Sequence, residues 1–176
     1  MLLKGENIFL RALEPSDADL LYRWENDPEL WAVSFTQMPF SRFVLEEFVS
    51  AAFQDIYTNK QLRLIVCAVS DLQPVGVADL FDFDPQHDRC GVGIYISENF
   101  RRQGFASECL DLLKPYCFDV LHLQQIYAHV NTTNQSSLAL FLKSGFEKSG
   151  LKKSWNKTGV RSYEDVWFLQ CFNPVA

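Results

Sequence analysis

The stretch of residues 62–97 constrains the fold of this chain most, because a strand pattern appears in it three times in succession. Residues 62–69 are mostly apolar and rich in β-branched side chains, and Asp71-Leu72-Gln73-Pro74 is typical of a turn. Residues 75–83 predict a second strand, and residues 89–97 predict a third after another polar turn. Strands joined by such short turns pair antiparallel, so we expect a three-stranded meander.

Further elements flank the meander. Residues 7–13 predict a strand, and Ser16 or Asp17 can cap a helix that Asn26-Asp27-Pro28 ends. Residues 41–53 predict a helix that begins after Ser41. Its apolar face is expected to consist of Phe43, Val44, Phe48, Ala51 and Ala52.

The C-terminal half alternates between the two kinds of element. It predicts a helix over 106–120, a strand over 125–130, a helix over 134–144 that Gly145 stops, and strands over 147–155 and 161–171. The order is β, α, α, three β, α, β, α, β, β. This order predicts an α/β protein with a mixed central sheet and flanking helices.

Composition narrows the classes of protein. The chain has 176 residues, 48% of them hydrophobic and 14% aromatic, so we expect one folded domain over residues 1–176 and exclude disorder for the bulk. The formal net charge is −6, and no run of Lys or Arg exceeds two residues. Phosphate binding by a nucleic-acid binder needs a basic patch, so nucleic acid is not expected as a partner.

Membrane, metal and redox partners are not expected either. The first residues meet charge too early for a signal peptide, and no apolar run approaches the ~20 residues of a spanning helix. The five Cys form no CxxC pair, which favours buried, reduced thiols and a cytoplasmic protein. The three His lack metal-ligand spacing, so no metal is predicted.

The strand–turn–helix segment 94–107 carries the strongest functional signal. Gly104 allows backbone conformations that a side chain forbids, and Ala106 leaves room for a close ligand. The first amides of a helix are unpaired and its dipole is positive there, while Arg101 and Arg102 add charge. The segment therefore predicts a diphosphate site; an ordinary strand–helix turn with two solvated arginines is the alternative.

The same segment resembles a known signature. Arg101-x-x-Gly104-x-Ala106 is similar to the R/Q-x-x-G-x-G/A motif of the GCN5-related N-acetyltransferases (GNAT superfamily). Three other segments resemble the branch of ribosomal-protein alanine N-acetyltransferases and spermidine N-acetyltransferases: Leu10-Arg11-Ala12-Leu13-Glu14-x-x-Asp17, Ile126-Tyr127-x-His129-Val130-x-x-x-Asn134-x-x-Ser137, and Phe141-Leu142-Lys143-Ser144-Gly145-Phe146. The likeness covers nearly the whole chain.

The resemblance implies a GNAT-like mixed central sheet, in which an antiparallel meander is followed by β-α-β-α-β-β. It also implies acetyl-CoA as cosubstrate. It implies that the loop amides hold the pyrophosphate, and that a bulged third meander strand runs beside the pantetheine arm. Asn134 would bond that arm, although Asn at a helix start is equally a cap. The implied acetyl-CoA contacts are Ile94, Tyr95, Ile96, Arg101, Arg102, Gln103, Gly104, Phe105, Ala106, Ser107, Asn131, Asn134, Ser137, Phe141 and Lys143.

Acetyl transfer needs a proton taken from the amine and a proton given to the leaving thiolate. In many relatives a Tyr on the last helix protonates the thiolate, but the matching residue here is Phe141. Ser137 lies four residues earlier on the same helix face and can donate directly or through water. A packed hydroxyl is the alternative for Ser137, and Tyr95 and Tyr127 are other candidate donors.

The resemblance also implies carboxylates on the acceptor side. Spermidine acetyltransferases carry acids at the positions of Asp79 and Asp82, and His87 matches too. A regular strand puts residues three apart on opposite faces, so only one of the two Asp can face the site unless a bulge intervenes. We predict Glu25, Asp79 and Asp82 as substrate-binding residues and Asp82 as catalytic. A solvated meander edge is the alternative for the two Asp, and a solvated turn is the alternative for Glu25. Asp27 and Glu29 follow Glu25 in the region where relatives bind acceptors.

Some positions depart from the spermidine pattern. Acidic residues of that group fall here on Thr36, Gln37, Ser41 and Gly91. The predicted acceptor is therefore a primary amine, either a polyamine-like molecule or a protein N-terminus. Because of Phe141, an acetyl-CoA sensor or scaffold with little turnover is the alternative, and a plain interaction domain is the third. The 15 Phe and 4 Trp can form a subunit interface or fill the core, so a homo-oligomer stays open.

Overall fold

A computed structural model describes residues 3–34, 36–52 and 55–175. The strands are β1 Ile8–Ala12, β2 Leu62–Ala68, β3 Pro74–Asp84, β4 Arg89–Ile96, β5 Gln125–Asn131, β6 Glu147–Lys157 and β7 Tyr163–Phe172. The helices are α1 Ala18–Glu25, α2 Pro28–Ser34, α3 Arg42–Ala51, α4 Ile56–Asn59, α5 Phe105–Pro115, which a π-helical turn continues to Val120, and α6 Gln135–Lys143.

All seven strands form one sheet in the order β1-β2-β3-β4-β5-β7-β6. The predicted meander is confirmed, since β2 pairs antiparallel with β3 and β3 with β4. The pairing of β4 with β5 is parallel, so the sheet is mixed and the predicted fold class is confirmed. The short helices α2 and α4 were not predicted, because neither has enough residues to show a helical period.

Apolar side chains cover the two faces of the sheet unequally. The larger core lies under α5 and α6 and includes Leu110 and Phe141 from these helices. The smaller core lies under α1 and α3 and includes Leu21 and Leu45. We call these sides the α5–α6 face and the α1–α3 face. The five cysteines are free and buried, as predicted. No described helix is long and apolar enough to cross a membrane.

The predicted inward face of α3 is wrong except at Phe48, which is half-buried and packs against the smaller core. Its N-cap is Ser41, whose hydroxyl accepts from the Val44 amide at 3.2 Å, as predicted. The residues that pack inward are Leu45 and Val49, one turn apart, whereas Phe43 and Val44 are 68% and 48% exposed. Ala51 and Ala52 are exposed as well, and Phe53 lies outside the described residues. Apolar residues cover so much of this helix that periodicity alone could not select the packed side.

A buried carboxylate fixes the turn between β1 and α1. Asp17 is 4% exposed, binds Arg11 through two hydrogen bonds of 2.7 and 2.8 Å, and accepts from the Glu14 amide at 2.8 Å. Burial by itself would raise the pKa of Asp17, but these hydrogen bonds and the charge of Arg11 hold it below its ordinary value.

We expect Asp17→Asn to lower the free energy of unfolding by about 1–3 kcal/mol near neutral pH, because a charged, buried hydrogen-bond acceptor is lost. A carboxyl whose pKa is lower in the folded state stabilises above its unfolded pKa and loses this contribution as pH falls. Wild-type stability should therefore decline below about pH 4, and the variant should decline less steeply. Urea unfolding across this range measures both effects. Asp19→Asn, at an exposed pair with Arg42, is the control and should change little.

Candidate active site

A wedge opens in the middle of the sheet between β4 and β5. Their parallel register joins residues 89–91 to residues 125–127, and no pairing between them follows in the described strands, which continue to Ile96 and Asn131. The wedge therefore widens beyond Gly91. Ile94, Tyr95 and Ile96, predicted to lie beside a pantetheine arm, form its β4 edge.

The loop from β4 to α5 lies beyond the open end of the wedge. Gly104 is the N-cap of α5 and has φ of 85°, and Arg102 has φ of 62°, a left-handed backbone that favours glycine. Within the described chain, no main-chain amide from residue 102 to residue 107 has a protein acceptor; Glu108 is the first to bind one, the Gly104 carbonyl at 3.1 Å. A Cβ at Gly104 would meet no atom within 4 Å. Free amides, open space and the helix dipole at this position suit an anion.

Two side chains of this loop donate hydrogen bonds to main-chain carbonyls that precede them. Arg101 folds back and donates from Nε to the Ile96 carbonyl at 3.0 Å, with its guanidinium 6.0 Å from the Tyr95 ring centre. The Gln103 side chain donates to the Asn99 carbonyl at 3.3 Å. Arg102 is exposed and adds positive charge, while the half-buried Phe105, Ala106 and Ser107 begin α5. The residues predicted to hold the diphosphate therefore lie together in one turn.

The start of α6 faces the same end of the wedge from β5. Asn134 caps α6, because its Oδ1 accepts from the Ser137 amide at 3.1 Å and from the Ser136 hydroxyl at 3.0 Å. Its Nδ2 has no acceptor among the described residues, so capping leaves this donor available to a ligand. The amide oxygen of Asn131 accepts from the Asn156 side chain at 2.9 Å. Lys143 lies at the far end of α6, so the structure does not bring it to the loop.

Phe141 and Ser137 lie one turn apart on α6, as predicted. Phe141 is 5% exposed and packs edge-to-face on Phe146 at 4.9 Å between ring centres. Ser137 is half-buried near the N-terminus of α6. A buried phenyl ring has no proton to give. Ser137, one turn earlier, is the polar group that this helix face offers instead.

Two of the predicted acceptor carboxylates are bound to an arginine that the sequence reasoning missed. Arg63 on β2 donates to both oxygens of Asp79 at 2.7 and 2.8 Å and also binds Glu25. The side chains of Arg63, Glu25 and Asp79 are only 15%, 12% and 19% exposed. Burial opposes the charge of Arg63, but the two carboxylates raise its pKa above the ordinary value. The cluster carries a net charge of −1 on the α1–α3 face, level with Gly93 of β4.

A bulge decides where Asp82 points. The register of β3 on β4 shifts between Phe81 and Asp84, and Asp82 has φ of 49°. The extra residue therefore lies on the second meander strand, not on the third as the resemblance implied. The bulge brings Asp82 to the same face as Asp79, where it accepts from the Tyr127 hydroxyl at 3.3 Å. Burial and the charge of Asp82 raise the pKa of Tyr127 to about 12.

Packing also accounts for the departure at Gly91. A Cβ at Gly91 would lie 2.2 Å from the Phe81 ring, so a larger side chain cannot fit while Phe81 keeps this position.

The other departures are the exposed or half-exposed Thr36, Gln37 and Ser41. Asp27 begins the turn into α2, with its carbonyl bound to the Trp31 amide at 3.0 Å, and the side chain of Glu29 lies outside the described residues. His87 is exposed in the β3–β4 turn, away from the wedge.

A shallow basin of about 450 Å³ lies on the α1–α3 face below the wedge. Its floor consists of Tyr127, His129 and Phe168, whose ring centres are 5.4–5.5 Å apart. Lys152 of β6 approaches His129, with 3.0 Å between Nζ and Nε2. Burial and the charge of Lys152 lower the pKa of His129, against a smaller opposing effect of Asp82. The described residues contain no group of three His, Cys, Asp or Glu arranged to hold a metal.

The predicted catalytic residues lie on opposite sides of the sheet. Ser137 belongs to the α5–α6 face and Asp82 to the α1–α3 face, at the closed end of the wedge.

The sequence did contain a signal for Arg63, since a lone charge within an otherwise apolar strand needs an internal partner. His129 lies in one of the segments that carry the resemblance, but no binding role was predicted for it, because its contact with Lys152 depends on the pairing of distant strands.

Comparison with known proteins identifies the family. The model for the acetyltransferase (GNAT) domain matches residues 7–147. The chain belongs to the GNAT acetyltransferase family. The resemblance stated for the sequence is confirmed, and this acetyltransferase is an acyltransferase that acts on nitrogen.

Its relatives agree with this assignment. An uncharacterised N-acetyltransferase p20 of Bacillus licheniformis is 28% identical over 171 residues, covering 94% of this chain and 93% of that one. Spermidine N(1)-acetyltransferase of Escherichia coli K12 is 26% identical over 146 residues, covering 83% and 76%. The crystal structure of spermidine N-acetyltransferase from Vibrio cholerae, in complex with CoA and spermine, is 25% identical with a TM-score of 0.85, covering 94% and 95%.

Proposed function

We propose that this acetyltransferase moves an acetyl group from acetyl-CoA to a primary amine of a small, polyamine-like molecule of the spermidine type. The observation that carries the proposal is the wedge, which has an anion site beyond its open end and a negatively charged cluster on its α1–α3 face. One side suits a diphosphate and the other suits a cationic amine. The relative in complex with CoA and spermine supports both halves of the proposal.

The loop residues fit the diphosphate of acetyl-CoA. The amides from Arg102 to Ser107 would bind its oxygens, and Gly104 leaves the approach open. Beyond the loop, the β4 edge and the Asn134 amide nitrogen would hold the pantetheine arm through main-chain and side-chain hydrogen bonds. These contacts would place the thioester within the wedge, between β4 and β5.

The amine would approach from the α1–α3 face and attack the thioester carbonyl directly in a ternary complex. The net negative charge of Glu25, Asp79 and Arg63 favours binding of the ammonium form, which loses one proton to water before the nitrogen attacks. Asp82 would accept the second proton of the attacking nitrogen through water. The new C–N bond forms as the C–S bond breaks, the thiolate takes a proton from Ser137 or from a water bound to it, and a donating Ser137 hydroxyl regains its proton from water.

Ser137→Ala tests the proton donor. We expect kcat to fall by about 10–100-fold, at or below the usual range for general acid catalysis, with the KM for acetyl-CoA nearly unchanged. The cap on α6 uses the Ser137 amide, not its hydroxyl, so the fold should persist. Ser136→Ala is the matched control and should leave kcat within about twofold. An equal loss of kcat in Ser137→Ala and Ser136→Ala would show that the Ser137 hydroxyl has a structural role and does not donate the proton.

Release of free CoA thiol over a panel of amines tests the function itself. The panel contains spermidine, spermine, monoamines and peptides with a free N-terminus, and we expect the polyamines to give the fastest release. Fastest release with the peptides would instead select a protein N-terminus as acceptor. Tight acetyl-CoA binding with slow transfer to every amine would favour the sensor or scaffold, which the buried Phe141 supports. A single domain, a cytoplasmic location and a homo-oligomeric state stay predictions.

A further inference from the structure

The chain's own Lys152 lines the basin on the α1–α3 face and places its side-chain nitrogen against the aromatic floor. Its Nζ lies 3.0 Å from His129 Nε2, 4.5 Å from the centre of the Trp155 ring and 5.4 Å from the centre of the Phe168 ring. Aromatic faces within about 6 Å of a cation attract it through the ring quadrupole. Three groups on three strands therefore converge on one primary ammonium.

The state of His129 follows from this contact. A lysine ammonium can only donate hydrogen bonds, so Nε2 of His129 must accept, and the ring proton lies on Nδ1. The groups that face His129 are Lys152 from β6, Phe168 from β7, Tyr127 from its own strand and Asp82 from β3. The neutral ring and the aromatic faces together suit any primary ammonium, whether it comes from the chain or from a ligand.

The basin also lies where an acceptor amine would arrive. Tyr127 is the last residue of β5 that pairs with β4, opposite Gly91, and His129 is two residues further on. His129 therefore lies where the wedge begins to open, on the face opposite α5 and α6. Asp82 and the Tyr127 hydroxyl add polar groups at the other end of the basin, where a second ammonium of a polyamine would find a carboxylate.

We propose that this basin binds an ammonium group of the acceptor, and that Lys152 occupies it as an intramolecular competitor until the acceptor enters. The inference rests on the proposed function and deepens it by assigning an acceptor subsite. Lys152 can leave because β6 is the edge strand of the sheet and most of its residues are exposed. A site that is mostly occupied lowers apparent affinity in proportion to the free fraction.

Lys152→Met tests the competition, because methionine keeps an unbranched apolar stem and removes the ammonium. We expect the KM for spermidine to fall at least about threefold, as the free fraction of the site rises, with kcat within about twofold. Lys153→Met is the matched control: it removes the same charge from the next, exposed residue and should leave KM nearly unchanged. Equal effects in the two variants, or a weaker affinity in Lys152→Met, would overturn the proposal.

A binding measurement without acetyl-CoA separates this proposal from the proposed function. In protein with ¹⁵N-labelled histidine, spermidine and n-butylamine should shift the imidazole signals of His129 but not those of His87 and His122. The signals of His129 are assigned by their loss in His129→Gln. In Lys152→Met, the same shift of the His129 signals should appear at a lower amine concentration. A shift without acetyl transfer would refute the proposed function and keep the basin, whereas transfer without a shift would refute the basin alone.

Discussion

Replacing Arg63 with methionine should lower the free energy of unfolding by about 3–5 kcal/mol, the usual cost of removing one partner from a buried ion pair. The change leaves Glu25 and Asp79 facing each other on the α1–α3 face with no cation between them. Urea unfolding measures the loss. Arg63→Lys keeps the charge but not the two-pronged donor, so its loss should be smaller.

Two further variants make the Arg63 prediction specific. Adding Asp79→Asn and Glu25→Gln to Arg63→Met should restore part of the lost stability, because the repelling charges disappear. Arg89→Met removes an arginine from a more exposed pair with Asp84 and should change the free energy of unfolding little. Similar losses at Arg63 and Arg89, or no recovery in the triple variant, would contradict a buried cluster held by charge.

Gly104→Asp should raise the KM for acetyl-CoA at least about tenfold relative to Gly104→Asn. The two side chains have nearly the same shape, and both tolerate the left-handed backbone that this position requires. The space beside Gly104 is open, so the difference reports charge. A carboxylate about 4 Å from a diphosphate opposes its binding by roughly 1–4 kcal/mol, depending on screening by water.

Gly145 provides the matched control for this pair. It has φ of 89° and open space like Gly104, but it follows the C-terminal end of α6. Gly145→Asp and Gly145→Asn should therefore give equal KM values for acetyl-CoA. Thermal unfolding of all four variants separates folding defects from binding defects. Equal KM values for the two Gly104 variants would show that no diphosphate binds at this helix start.

The sequence predicted the features that depend on local pattern. Apolar, β-branched runs separated by polar turns predicted the meander, and the signature around Gly104 predicted the turn that exposes free amides. Ser41 was recognised as a cap because capping needs only one side chain and the amides that follow it. These features depend on interactions between residues close together in the chain, so they can be predicted without knowing the fold.

The features that the sequence did not predict depend on distant strands. Whether Asp82 shares a face with Asp79 depended on a bulge opposite Cys90, and alternation alone predicts the reverse. The partners of Glu25 and Asp79 became clear only when β2 was paired with β3, since this pairing places Arg63 opposite Asp79. The contact between Lys152 and His129 likewise needs β5, β7 and β6 in their observed order.

Isothermal calorimetry with acetyl-CoA, run beside free CoA, tests the central claim most directly. The wild-type protein should bind both ligands with micromolar dissociation constants, because the loop amides and Gly104 would contact the diphosphate that the two ligands share. Binding of neither ligand by well-folded protein would contradict the diphosphate site, and the proposed transfer of an acetyl group across the wedge would fall with it.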